Sequence, residues 1–155
     1  DVISMAALQT HVSGLAEMKG TTGKDILRCG DLWEQAKMSE KAKAAWSRAL
    51  DFRGAESEAN AKLAEYAKAE GNLRKAREFY LEALKNDPFS FRIFENLSIL
   101  EEKEAKDPRS ALNYAEKALE ILGSMGHADD LSLGQQRYEL NNRISRLRKK
   151  CGKDA

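Results

Sequence analysis

The chain has 155 residues, 42% of them hydrophobic and 33% charged, with a net charge of +1 and only 2 Pro. A chain of this length suits one domain and buries roughly two thirds of its unfolded surface, so it needs no disulfide or metal to fold. The near-neutral balance excludes a global field that attracts nucleic acid or an anionic membrane, no apolar run approaches the ~20 residues that span a bilayer, and strand-forming residues are sparse. The two cysteines, Cys29 and Cys151, read as separate thiols, which fits a reducing, cytoplasmic setting. No secretory signal is visible. Because the first residue is Asp1 and not Met, the chain is expected to be part of a longer protein.

In chain order, residues 1–22 hold an amphipathic helix over about 2–18. Val2, Met5, Leu8, Val12 and Leu15 share its apolar face, which suits a cap on the neighbouring helices. Gly20-Thr21-Thr22-Gly23-Lys24 has the wrong spacing for a phosphate loop and no preceding strand, so it reads as a turn with Thr22 or Gly23 at the next helix N-cap. Helices are then predicted over about 23–36, 39–53, 56–70, 73–86, 90–105, 108–123 and 129–149, eight in all. Gly71-Asn72 closes one helix and opens the next. Asp87-Pro88 ends a helix, because the residue before Pro is pushed out of helical conformation. Asp107-Pro108 starts one, with Asp as cap and Pro in the first turn.

These helices repeat. Shifting Ala76, Tyr80, Ala83 and Leu84 back by 34 residues gives Ala42, Trp46, Ala49 and Leu50. The same shift carries Leu63-Ala64 onto Cys29-Gly30. Forward, with one residue inserted, the pattern recurs as Ala111, Ala115, Ala118 and Leu119, preceded by Leu97-Ser98. The small residues let two helix backbones approach closely, and Trp46 and Tyr80 are expected to fill the space between neighbouring hairpins. With Leu63, Ala64, Gly71, Ala76, Tyr80, Ala83 and Pro88 in register, residues 57–90 resemble a tetratricopeptide repeat (TPR). Residues 23–56 form a degenerate first copy, with Gly54 where the family has Pro. Residues 91–125 form a third, with Phe94 at the early aromatic position and Ala115 in place of the second aromatic. In the middle copy, Asn60 replaces the usual early Trp. Residues 126–150 are the capping helix, with an apolar stripe of Leu133, Leu140, Ile144 and Leu147, and 151–155 form a tail. The expected fold is all-α, a TPR-type solenoid of helical hairpins, the α-α superhelix.

The resemblance implies a groove lined by the first helix of each repeat. It would show Lys24, Leu27, Asp31, Glu34 and Gln35 from the first copy, and Glu58, Ala61, Glu65 and Lys68 from the second. Arg92, Glu95, Ile99, Glu102 and Lys103 come from the third. This surface is mixed and leans acidic, with Leu27 and Ile99 as apolar anchors. The carboxylate clamp of chaperone-binding members is not reproduced, because the corresponding places hold Leu27, Asp31, Lys62, Arg92 and Asn96. The resemblance therefore points to a non-catalytic scaffold for a protein or peptide, with no cofactor.

Other chemistry is thin. His11 and His127 lack metal-ligand spacing, and Asp129 or Asp130 reads as an N-cap. Cys29 falls at a core position, and Cys151 in a basic tail. Arg143, Arg146, Arg148, Lys149, Lys150 and Lys153 form a basic stripe that suits phosphate contact or a helix C-terminus equally well, without the aromatics that single-strand binders interleave. The opening Asp1-Val2-Ile3-Ser4-Met5 with Leu8 also resembles the last motif of DEDD exonucleases, as in bacterial YprB-like ribonuclease H-fold proteins that carry C-terminal TPRs. That resemblance makes Asp1 a remnant metal-binding carboxylate, and the chain an accessory region contributing to nucleic-acid or partner binding. One carboxylate supports no two-metal chemistry, so the chain alone is not expected to be an enzyme. A homodimer formed through an uncovered repeat face is a third reading.

Overall fold

A computed structural model describes residues 5–17, 20–125 and 131–153 of the protein. They form eight helices: α1 (Met5–Glu17), α2 (Gly23–Gln35), α3 (Ser39–Ala49), α4 (Glu56–Ala69), α5 (Leu73–Asn86), α6 (Phe91–Lys103), α7 (Pro108–Ser124) and α8 (Leu131–Lys153). The chain divides into two compact units, Asp1–Asn86 and Asp87–Ala155. The first holds α1 and the hairpins α2–α3 and α4–α5. The second holds the hairpin α6–α7 and α8.

Local signals set the helix starts. Thr22 caps α2, its side chain accepting from the Asp25 backbone while the Asp25 carboxylate accepts from the Thr22 N–H at 2.7 Å, a closed capping box. Asp107 caps α7, and Pro108 occupies its first turn.

The turns inside the hairpins share one device. Lys37, Gly71 and Lys106 have φ of 63°, 78° and 57°, the left-handed conformation that closes a helix C-terminus. In the first two hairpins the closure is identical. Lys37 N donates to Glu34 O and Met38 N to Trp33 O, as Gly71 N does to Lys68 O and Asn72 N to Ala67 O. The residue inserted in the third copy widens the closure, so Ala105 N reaches back to Leu100 O and Asp107 N to Glu101 O.

The core of the first unit gathers Ile26, Leu27, Cys29, Trp33, Trp46, Ala49, Ala59 and Leu63. Within it, α2 and α3 meet where Gly30 has no side chain. A Cβ built there would lie 2.2 Å from Trp46 Nε1, so the indole occupies the space that any other residue would fill. Trp46 thus packs inside its own hairpin as well as against Leu63 of the next. Its buried Nε1 has no acceptor among the described residues. In the second unit, Ala111, Ala115, Ile144 and Leu147 form one buried cluster, and Phe91, Ala118, Leu122 and Leu140 another. Ser98, fully buried, donates from Oγ to Ala111 O at 2.7 Å, so the small-residue position on α6 also ties α6 to α7. Tyr114, one residue before Ala115, supplies the missing ring and meets Phe94 with centroids 6.3 Å apart.

Two expectations change. Residues 50–55 leave the helix that was to run to 53, through short bonds such as Phe52 N to Ala49 O. α8 runs to Lys153, so Cys151 is a half-buried helical residue and not part of a tail. On α8, Leu140, Ile144 and Leu147 are buried as predicted, with Leu133 partly so. Of the apolar face predicted for the first helix, Val12 is buried and Val2 lies outside the described residues.

Candidate functional site

The first unit holds a cavity of about 420 Å³ between α2, α3 and α4, lined by Glu34, Ser39, Ala42, Trp46, Glu65, Tyr66, Ala69 and Glu70. Three carboxylates and two aromatic residues line it, and no basic residue among those described does. Glu34 projects from the last turn of α2, and its carboxylate makes no ion pair or hydrogen bond among the described residues. Glu65 accepts from Tyr80 Oη and pairs with Lys68 at 2.9 Å. Burial, and then the bond to Glu65, push the Tyr80 phenol far up, so it stays a donor and fixes the carboxylate from below. Tyr66 donates from Oη to Glu40, a bond that raises its phenol to about 12. Lys43 stands 4.9 Å over the Tyr66 ring and 3.9 Å from Glu70.

The predicted groove residues divide. Glu34 and Glu65 come together in this cavity, and Lys68 is held beside it by Glu65. Asp31 pairs with Lys62 across α2 and α4 at 3.1 Å, and Lys24 and Glu58 are exposed. Leu27 is corrected from a groove anchor to a core residue: it is 4% exposed and packs with Ile26 and Trp33, leaving a ligand little to touch. On α6, Arg92 is exposed and Ile99 half-buried. Glu95 is half-buried, and burial raises its carboxyl, with Arg143 opposing.

Glu102 is also corrected. Its side chain is 7% exposed and is taken up by Arg143 at 2.7 Å, Arg146 at 2.9 Å and Lys150 at 2.9 Å, all from α8. Burial alone would raise this carboxyl. The bonds from Lys150 and Arg146 overcome that and hold it at about 2. The same contacts occupy three of the four candidate phosphate-binding residues, Arg143, Arg146 and Lys150, in an ion-pair tie between α6 and α8. Arg148 is likewise paired, with Glu116 at 2.9 Å. Lys149 makes no ion pair among the described residues.

Asp1 and His127 lie outside the described residues. His11 is exposed on α1. Cys29 is buried, and its thiol, raised by burial, donates to Val12 O at 3.8 Å, as a structural thiol would. No group of three or more His, Cys, Asp or Glu among the described residues is arranged to hold a metal. No described helix is long and apolar enough to cross a membrane.

Repeated hairpins, a near-constant spacing of turn residues and close small-residue helix contacts make this a TPR-type, all-α helical-repeat fold. No family model matches the sequence, and no curated protein is similar enough in sequence to match it. Among solved structures, the chain is similar to BtubC from P. vanneervenii, with a TM-score of 0.74 at 17% identity over 95% of this chain and 65% of that one. It is similar to MamA, with a TM-score of 0.65 at 19% identity over 78% of this chain and 72% of that one. The Sgt2 TPR domain from Aspergillus fumigatus gives 0.63 at 20% identity, over 85% and 80%. The chain thus spans under two thirds of BtubC, and at these identities the likeness is one of fold.

The sequence pointed to Glu34 and Glu65 but missed Ser39, Trp46, Tyr66 and Glu70. The family register marks only first-helix positions, whereas this cavity also draws on α3 and on the last turn of α4. The only sequence signal was Tyr66 itself, a large aromatic beside a groove carboxylate.

Proposed function

We propose that this chain is a non-catalytic scaffold that binds a protein or peptide partner on the α2–α4 face of its first unit. One observation carries the reading: the cavity of about 420 Å³ lies where two successive hairpins meet, within the size of a side-chain or small-ligand pocket. A folded TPR-type surface offers shape and a few charged contacts, and no group of three or more His, Cys, Asp or Glu among the described residues is arranged to hold a metal. The nuclease-accessory alternative rests on the Asp1 motif, which lies outside the described residues, and on the basic stripe of α8, where Arg143, Arg146 and Lys150 pair with Glu102.

A photoreactive phenylalanine derivative placed at Ala69, on the cavity rim, tests the reading against the same group at Arg74 on α5. Partner crosslinks are expected from position 69 and not from 74, and the purified partner should bind the Glu34→Arg variant less tightly. Equal crosslinking from both positions would overturn the assignment of this face.

A further inference from the structure

We infer that the cavity of the first unit takes a cationic side chain, best an arginine, from an extended segment of the partner. The inference rests on the scaffold reading above and names the chemistry of its site. A chaperone-type groove captures a carboxylate with basic residues. Here the polarity is reversed, because Glu34, Glu65 and Glu70 line the cavity with no Lys or Arg among them.

Two further features favour a guanidinium. Tyr66, half-buried at the cavity, presents ring surface, and arginine stacks on such a face while its planar fork engages carboxylates. The protein's own lysines already exploit this chemistry at the margin: Lys43 stands over Tyr66 next to Glu70, and Lys62 lies 5.7 Å over the Trp46 ring. A cavity of this volume accommodates one arginine side chain with its solvent. Entry costs little in lost internal pairs. The Lys43–Glu70 and Lys68–Glu65 bridges join side chains that are 32–48% exposed, and such exposed pairs are weak. Glu34 has no ion pair among the described residues to release. Tyr80, anchored in the core, keeps Glu65 turned toward the entering group.

The test uses an end-capped glycine–serine peptide with a central Arg-Arg pair, and the same peptide with citrulline in place of arginine. Citrulline keeps the shape and removes the charge. Both are titrated at low salt into nitrogen-15-labelled protein, following backbone amides and the two indole N–H signals. A Trp33→Phe variant assigns the Trp46 signal. The arginine peptide should shift Glu34, Tyr66, Glu70 and the Trp46 indole in a saturable way, and the citrulline peptide should bind several-fold more weakly. Glu34→Gln and Glu70→Gln, both at exposed positions, should each weaken the arginine peptide roughly two- to fivefold, with amide signals elsewhere unchanged.

Equal binding of the two peptides, shifts centred away from the cavity, or no shift at millimolar peptide would overturn the cation assignment. The crosslinking experiment decides the scaffold reading independently. A partner that crosslinks at position 69 but carries no basic residue in the crosslinked segment refutes the inference and leaves the scaffold reading standing.

Discussion

Two residues set the backbone geometry of the first hairpin, and each makes a measurable claim. Gly30 is needed for space: the Trp46 indole lies where its Cβ would be. Gly30→Ala gains about 1 kcal/mol of helix propensity but must displace a rigid, buried ring, a strain of typically 1–3 kcal/mol or more. We expect a net loss of about 1–2 kcal/mol in urea unfolding. The loss should largely vanish in a Trp46→Leu background, where the ring is gone. An equal penalty in both backgrounds would show that Gly30 matters for another reason. Lys37 makes the opposite claim. It closes α2 in the left-handed conformation that Gly71 uses one repeat later, and that conformation costs a non-glycine residue about 1 kcal/mol. Lys37→Gly and Lys106→Gly should therefore each stabilise by about 0.5–1 kcal/mol, and Gly71→Ala should destabilise by a similar amount. Thermal unfolding of the three variants checks all of these.

At the scale of elements, what was legible in the sequence depended on how local its cause was. Helix starts at Thr22 and Asp107-Pro108 and the turn at Gly71 fell where caps and breakers put them, because those signals act within one turn of chain. The apolar stripe of α8 was legible for the same reason. The end of α8 was not: a run of cations resembles a frayed tail until Glu102, some 40 residues away in sequence, is seen to gather Arg143, Arg146 and Lys150. The cavity was half legible. Glu34 and Glu65 follow from the repeat register, while Leu27 was misplaced because the register marks it as groove and its helical face puts it in the core with Ile26, Gly30 and Trp33. The α6–α8 tie carries its own prediction. Glu102 is held at about 2, below its ordinary value of 4.5. A carboxyl depressed on folding contributes stability that is present above the unfolded pKa and is lost as pH falls through the folded one. Glu102→Gln should thus cost about 1–3 kcal/mol at pH 7, and the gap from wild type should close as pH drops from about 4.5 toward 2. A gap independent of pH would mean that packing, not charge, accounts for the loss.

At the scale of the whole molecule, charge decides between partners. The net charge of +1 supplies no general attraction to phosphate, so nucleic acid would have to be held by the stripe on α8. Most of that stripe is spoken for by Glu102 and by Glu116. Phosphates competing for Arg143, Arg146 and Lys150 together would leave the Glu102 carboxylate, 7% exposed, without its partners, and an uncompensated buried charge is strongly unfavourable. Arg148 is different, because its pair with Glu116 is exposed and cheap to break. Among the described side chains of the stripe, the cations not held by Glu102 are therefore Lys149 and Arg148. Each phosphate neutralised contributes about −0.9 to the slope of log affinity against log salt on duplex DNA. Any binding to a short duplex should accordingly be weak, with a slope no steeper than about −2. Glu102→Ala frees Arg143, Arg146 and Lys150 at once. It should tighten duplex binding at low salt and steepen the slope by about 2–3, while leaving the first unit's response to the arginine peptide unchanged. A wild-type slope near −4 or steeper would show that phosphate outcompetes Glu102, and the stripe would then be a nucleic-acid surface and not an internal tie.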